Sequence, residues 1–242
     1  MASNEKRIRV LNEILLTEAS FNADLHAVVD VFLVPLRASK SSIIDDQDVR
    51  TIFGDWEVIL KTSDMLYDDL TKAIENCQSM AAVFIKYAPY LRAYAPYLNN
   101  YEAGIKRKVE LASLSSLNES NGGNPFREFL DAAIRDPRCH KLDLASFLIM
   151  PVQRVPRYKL LLESLLSETA KDHAEYSTVI KAVDAVSEVA KQNNEGMSHT
   201  TAFDALMEIQ LRFDDQTKLN LLDNPARVVS SCMWVAIPWL SK

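Results

Sequence analysis

The chain has 242 residues, of which 48% are hydrophobic, and a formal net charge of −6. That length accommodates one large domain with a sizeable core, and only five glycines argues for long helices rather than sheets, so an all-α fold is expected. The acidic balance excludes broad electrostatic capture of nucleic acid, and three scattered cysteines, Cys77, Cys139 and Cys232, suggest neither a zinc site nor a disulfide framework.

The N-terminal MASNEKRIRV is polar, without the apolar core of a signal peptide, and no uninterrupted apolar run approaches membrane-spanning length. A cytoplasmic protein is expected. Glu5 to Leu36 then reads as one amphipathic helix ending near Pro35, with Leu11, Ile14, Leu15, Phe21, Leu25, Val29 and Phe32 on its apolar stripe. Glu18 lies at the angular centre of that stripe. Buried alone, a carboxylate there would cost several kcal/mol or lose its charge. Two readings follow: an internal ion pair, or a turn of helix that faces another molecule.

After the polar link Arg37 to Ser42, Asp45 or Asp46 can cap a short helix through Phe53, and Gly54 marks the junction to a second helix from about Asp55 to Asn76. Ser79 to about Ser116 carries an internal echo, Tyr87-Ala88-Pro89-Tyr90-Leu91 and Tyr94-Ala95-Pro96-Tyr97-Leu98. Seven residues are about two helical turns, so the echo reads as aromatic packing along one helix face. Lys106, Arg107 and Lys108 form a short basic cluster of the kind that usually lies on a solvated face. Asn121-Gly122-Gly123-Asn124 is a loop, Pro125 to Ile134 resumes helix, and Asp136-Pro137 turns the chain.

The stretch from Leu144 to Leu166, LASFLIMPVQRVPRYKLLLESLL, organises the rest. At roughly 100° per residue, Leu144, Leu148, Val152, Val155, Tyr158, Leu162 and Leu166 fall on one side, facing a core. Ile149, Met150, Gln153, Arg157, Leu160, Leu161 and Ser164 fall opposite, where a glutamine and an arginine sit among large aliphatic groups. Pro151 and Pro156 allow either a bent continuous helix from Asp143, which the unbroken apolar phase favours, or a first turn followed by a new helix with Pro151 in its opening turn. Asp172 and Glu175 form a capping-box pattern opening a helix to about Phe213, with Tyr176, Val179, Ile180, Val183, Val186, Ala190 and Met197 on its stripe and Asn194 among them.

The order of elements over residues 5 to 213 resembles the Dbl homology domain, the catalytic domain of exchange factors for Rho-family GTPases. LNEILLTEASFNADL, with Thr17-Glu18, looks like that family's first conserved region, and Ile52-Phe53-Gly54 through Trp56 and Ile59 is similar to the second. SFLIMPVQRVPRYKLLLESLL closely matches the third, and Asn194-Glu195 stands where the family has an NE pair. The resemblance implies an elongated bundle of long helices that acts without covalent chemistry, cofactor or metal. Its implied partner is a small GTPase of the Rho, Rac or Cdc42 type, met by Glu18, Gln153, Arg157, Leu160, Leu161 and Asn194. Glu18 would contact the first switch, and Arg157 and Asn194 the second. The family most often has lysine at position 157 and commonly at position 150, where this chain has arginine and methionine.

No glycine-rich phosphate loop occurs, so the chain is expected to act on a GTPase rather than be one. His26, His140, His173 and His199 show neither zinc-protease spacing nor a nucleophile motif. The competing expectation is a helical interaction or membrane-scaffolding module without exchange activity, against which the acidic balance weighs. The last stretch, 214 to 242, is apolar and broken by Pro225 and Pro238. It is expected to be a linker with Arg227 to Val235 as the first strand of an incomplete pleckstrin homology domain, which would offer peripheral contact with the plasma membrane.

Overall fold

The computed structural model describes residues 2 to 114 and 123 to 195, with side chains from residue 5 to 193. Among the described residues there is no strand, so the expected all-α class is what forms. The stretch from 196 onward, including Met197, Phe213 and the expected strand, lies outside the described residues, as do Asn121 and Gly122.

Helix α1, Ala2–Val28, continues through a π turn, Val29–Leu33, into α2, Val34–Ala38. It ends at Ala38, two residues past the expected Leu36. A proline in an α-helix clashes with the carbonyl four residues back. Here the Val34 N–H bonds the Val29 carbonyl, five residues back, so the backbone has widened one turn ahead of Pro35. By length and composition this helix could cross a membrane. In the fold its inner side packs on α4 and α9, with Ile14, Leu25, Val28 and Phe32 buried.

Helix α3, Asp46–Phe53, starts where Asp45 accepts the Asp48 N–H at 2.7 Å, and it ends at Gly54, whose φ of +49° suits glycine. Helix α4, Trp56–Glu75, follows. The echo segment is two helices, α5, Met80–Leu91, and α6, Ala95–Ser113, parted by a 3-10 turn at Arg92–Tyr94. Pro96 in the first turn of α6 explains the break, since its missing N–H costs nothing there. Tyr87, Tyr94 and Tyr97 are buried and Tyr90 is exposed, so the echo is aromatic packing between helices in three of its four rings. The basic cluster is tied down: Arg107 forks onto Asp48 at 2.6 and 3.2 Å, and Lys108 lies 3.6 Å from Asp143.

Helix α7, Pro125–Ala133, is capped by Asn124, and a 3-10 turn at Pro137–Cys139 leads to α8, Leu144–Leu148, capped by Asp143. Helix α9, Met150–Ser167, then begins with Pro151 in its first turn. The second of the two readings therefore holds, although Ile149 between the helices keeps helical dihedrals, φ −77° and ψ −24°, which is why the apolar phase carries across. Helix α10, Tyr176–Glu195, begins four residues after Asp172. The capping box does not form. Glu175 instead pairs with Arg7 of α1, and its N–H bonds His173 Nδ1. Helix α9 packs between α1 and α10, and α4 and α5 close the bundle behind them.

Candidate functional site

The first conserved turn of α1 meets α9 inside the bundle. Glu18 is fully buried, and every one of its bonds is internal. Its Oε2 accepts from Arg154 Nη2 at 2.6 Å, Arg154 Nε at 3.1 Å and the Tyr158 hydroxyl at 2.6 Å, while Oε1 accepts from the Ser63 hydroxyl of α4 at 2.7 Å. The expectation of a carboxylate waiting on a surface is thus corrected. Of the two readings, the internal ion pair is what the fold contains.

Arg154 is itself buried, and its guanidinium lies 5.0 Å from the centre of the Phe21 ring and 4.6 Å from that of Tyr158. Such stacking suits the planar, weakly hydrated guanidinium better than an ammonium. Burial alone would pull the Arg154 pKa down, but the Glu18 charge beside it outweighs that and holds it above the ordinary value. Burial, reinforced by the same charge, pushes the Tyr158 hydroxyl well above its ordinary value. A buried charge is tolerated when paired and hydrogen-bonded on this scale.

Arg154 is the residue that reading by periodicity missed. It sits one turn before Tyr158 on the inner side of α9, a position where arginine is unusual unless it has a partner. The available signal was the pairing of one acid and one base, each on a stripe that asks for an apolar residue.

Toward solvent, the cluster passes into a polar seam between α1 and α4. Asn22 Nδ2 donates to Asp64 Oδ1 at 2.8 Å and to Ser63 Oγ at 3.3 Å, and the exposed His26 lies 2.8 Å from Asp64 Oδ1.

The other expected residues divide. Gln153, Arg157 and Leu160 follow at i, i+4 and i+7 along one side of α9. Gln153 and Arg157 are half-buried and Leu160 is 46% exposed, so these three lie together at the outer face. Gln153 brings a buried amide nitrogen that has no hydrogen-bond partner among the described residues. Leu161 is 6% exposed and belongs to the core with Leu162 and Leu165, a second correction: one further residue rotates the side chain inward. Asn194 lies in the last turn of α10, and its side chain is outside the described residues. The inner stripe of α10 is Val179, Ala182, Val186, Val189 and Asn193, with Ile180 exposed. Asn193 on that stripe donates to the Leu91 carbonyl at 3.4 Å.

Among the described residues no three His, Cys, Asp or Glu side chains gather as metal ligands. What the arrangement can do chemically is present a mixed polar and aliphatic strip on α9, braced from below by a buried ion pair.

Comparison with known proteins places this geometry. Myosin-M heavy chain of Dictyostelium discoideum is 28% identical over 221 residues, covering 90% of this chain and 12% of that protein. Human intersectin-1 is 28% identical over 211 residues, covering 86% of this chain and 12% of that protein. The chain thus spans about an eighth of the length of these curated relatives. Among solved structures, the Vav1 exchange factor aligns with a TM-score of 0.72 at 24% identity, covering 89% of this chain and 56% of that one. The DH/PH domains of PDZ-RhoGEF, solved in complex with GTP-γ-S-activated RhoA, align with a TM-score of 0.73 at 21% identity, covering 88% and 60%. The profile of the RhoGEF domain matches residues 10 to 194, from the first turns of α1 to the last of α10. With the match spanning the whole described bundle, the chain belongs to the RhoGEF domain family.

Proposed function

We propose that this chain is a guanine nucleotide exchange factor for a Rho-family small GTPase, which docks over the outer side of α9 with α1 and the end of α10 at its flanks. The observation that carries the reading is the family match across all three of those helices. The exposed Leu160 beside the half-buried Gln153 and Arg157 supports it further, because a polar and aliphatic strip of this kind suits a protein partner.

The mechanism is one of linkage. A factor that binds the nucleotide-free GTPase more strongly than the nucleotide-bound form lowers nucleotide affinity by the same ratio. Arg157 and Asn194 would meet the second switch and draw it away from magnesium and phosphate. Glu18 would meet the first switch. Because Glu18 is sealed between α1, α4 and α9, that contact requires a local opening of α1 from α4, where Ser63 covers Oε1, and the GTPase is the ligand that selects the opened form.

Release of fluorescent GDP from a panel of Rho-type GTPases tests the reading. Wild type should accelerate release from at least one member, and Leu160→Glu, a surface change, should keep the fold and lose most of that acceleration. Binding that is indifferent to nucleotide, with no acceleration on any member, would favour a scaffold instead.

A further inference from the structure

We infer that Arg154 is a positioning residue for exchange, acting through Glu18 rather than by touching the GTPase. The inference rests on the exchange reading and deepens it. Three observations carry it. The first is the fork: both Nε and Nη2 of Arg154 bond the same oxygen, Oε2, at 3.1 and 2.6 Å, and Tyr158 supplies a third donor to that oxygen. A carboxylate oxygen has about two lone-pair sites, so Oε2 is fully occupied. Oε1 holds one donor, the Ser63 hydroxyl, and keeps the remaining acceptor capacity.

The second observation is that the fork is held from both helices. Its guanidinium lies 5.0 Å from the ring centre of Phe21, on α1, and 4.6 Å from that of Tyr158, on α9, and its Nη2 also reaches the Thr17 hydroxyl at 3.4 Å. Phe21 and Thr17 flank Glu18 on the same helix, so Arg154 grips three α1 side chains at once. The third is charge. With Glu18 fully buried and Arg154 only 5% exposed, the acid has no solvent to support its anion and depends on this cation.

Arg154 therefore does two things for an incoming switch. It keeps the Glu18 side chain in one orientation, and it leaves Oε1 as the oxygen able to take a further donor once α1 parts from α4, which carries Ser63. Lysine would keep the charge but lose the fork and the ring stacking. The role differs from simple packing, because packing would affect exchange whether or not position 18 carried an acid.

A double-mutant cycle separates the two. Wild type, Arg154→Lys, Glu18→Gln and the double variant are compared for affinity toward nucleotide-free GTPase, for KM against kcat in GDP release, and for unfolding midpoint. Arg154→Lys should weaken nucleotide-free binding about tenfold and lower kcat with little change in KM, while in the Glu18→Gln background the same substitution should change binding by less than about twofold. An equal loss in both backgrounds, or no loss in wild type, overturns the inference. Should Arg154→Lys fail to fold, Tyr158→Phe removes one donor to Oε2 and keeps the ring. It should give a smaller loss, about threefold, that again depends on Glu18, and a loss independent of Glu18 overturns the inference equally. A wild type inactive on every Rho-type GTPase overturns the exchange reading and this one with it, whereas an active wild type without coupling overturns only the role of Arg154.

Discussion

The Tyr97 hydroxyl of α6 donates to the Leu148 carbonyl at 2.6 Å, at the point where α8 gives way to α9. In an unbroken helix that carbonyl would accept from Val152, but the Val152 N–H bonds Ile149 instead, at 3.0 Å. Tyr97 thus satisfies an acceptor that the proline break leaves over, and both partners are buried. Tyr97→Phe should cost about 1–3 kcal/mol, because the stranded carbonyl keeps its desolvation penalty. Urea unfolding with an unchanged m-value would check it, and exchange per folded molecule should change little.

Gly104 of α6 lies where α6 crosses α3. A Cβ there would stand 2.9 Å from the Thr51 carbonyl oxygen and 3.0 Å from that of Ile52, both backbone atoms that cannot turn aside. Gly104→Ala should destabilise by about 1–3 kcal/mol through forced separation of the two helices. A melting temperature equal to that of wild type would contradict this packing.

Asp24 has its pKa pushed up to about 6, by burial first, with the nearby His140 pulling the other way. A raised acid binds protons in the fold that it would release when unfolded, so its contribution falls as pH rises from about 4 to about 6. Asp24→Asn should therefore stabilise the protein near pH 7 by about 1 kcal/mol, a figure reduced for the partial exposure of the group. The gain should vanish below about pH 4. Unfolding titrations of both proteins across that range measure the crossover.

Removing the buried acid is a different matter. Glu18→Ala leaves Arg154 charged, buried and without its counterion, so a loss of about 3–5 kcal/mol is expected. Glu18→Gln keeps the shape and should cost less. Any exchange defect in the alanine variant has to be normalised to the folded fraction, which circular dichroism during urea titration provides.

Much of this bundle was legible from local chemistry. Asp45 caps the helix that its position suggests, the helix expected from Asp143 starts there, and Gly54 marks the junction with a positive φ. These features depend on neighbours within about four residues. What was not legible depends on partners far along the chain. That Glu18 is matched by Arg154, 136 residues away, needs the tertiary fold. The same holds for Glu175, which is drawn to Arg7 and so gives up the capping role its spacing suggests. On α10, only the packing on α5 and α9 shows that Asn193 points inward.

The π turn at Val29–Leu33 places one surplus residue near the C-terminal end of a long rod. The hydrophobic seam runs through it: Ile14, Phe21, Leu25 and Val28 before, Phe32 and Leu33 within, and Leu36 after. Deleting a single residue from the turn would straighten the hydrogen-bond ladder and swing the downstream segment by roughly 100°. Pro35 would then be driven against the backbone behind it. The irregularity is what lets the apolar seam carry past Pro35, so that Leu36 beyond it is buried as Leu25 and Val28 are before it.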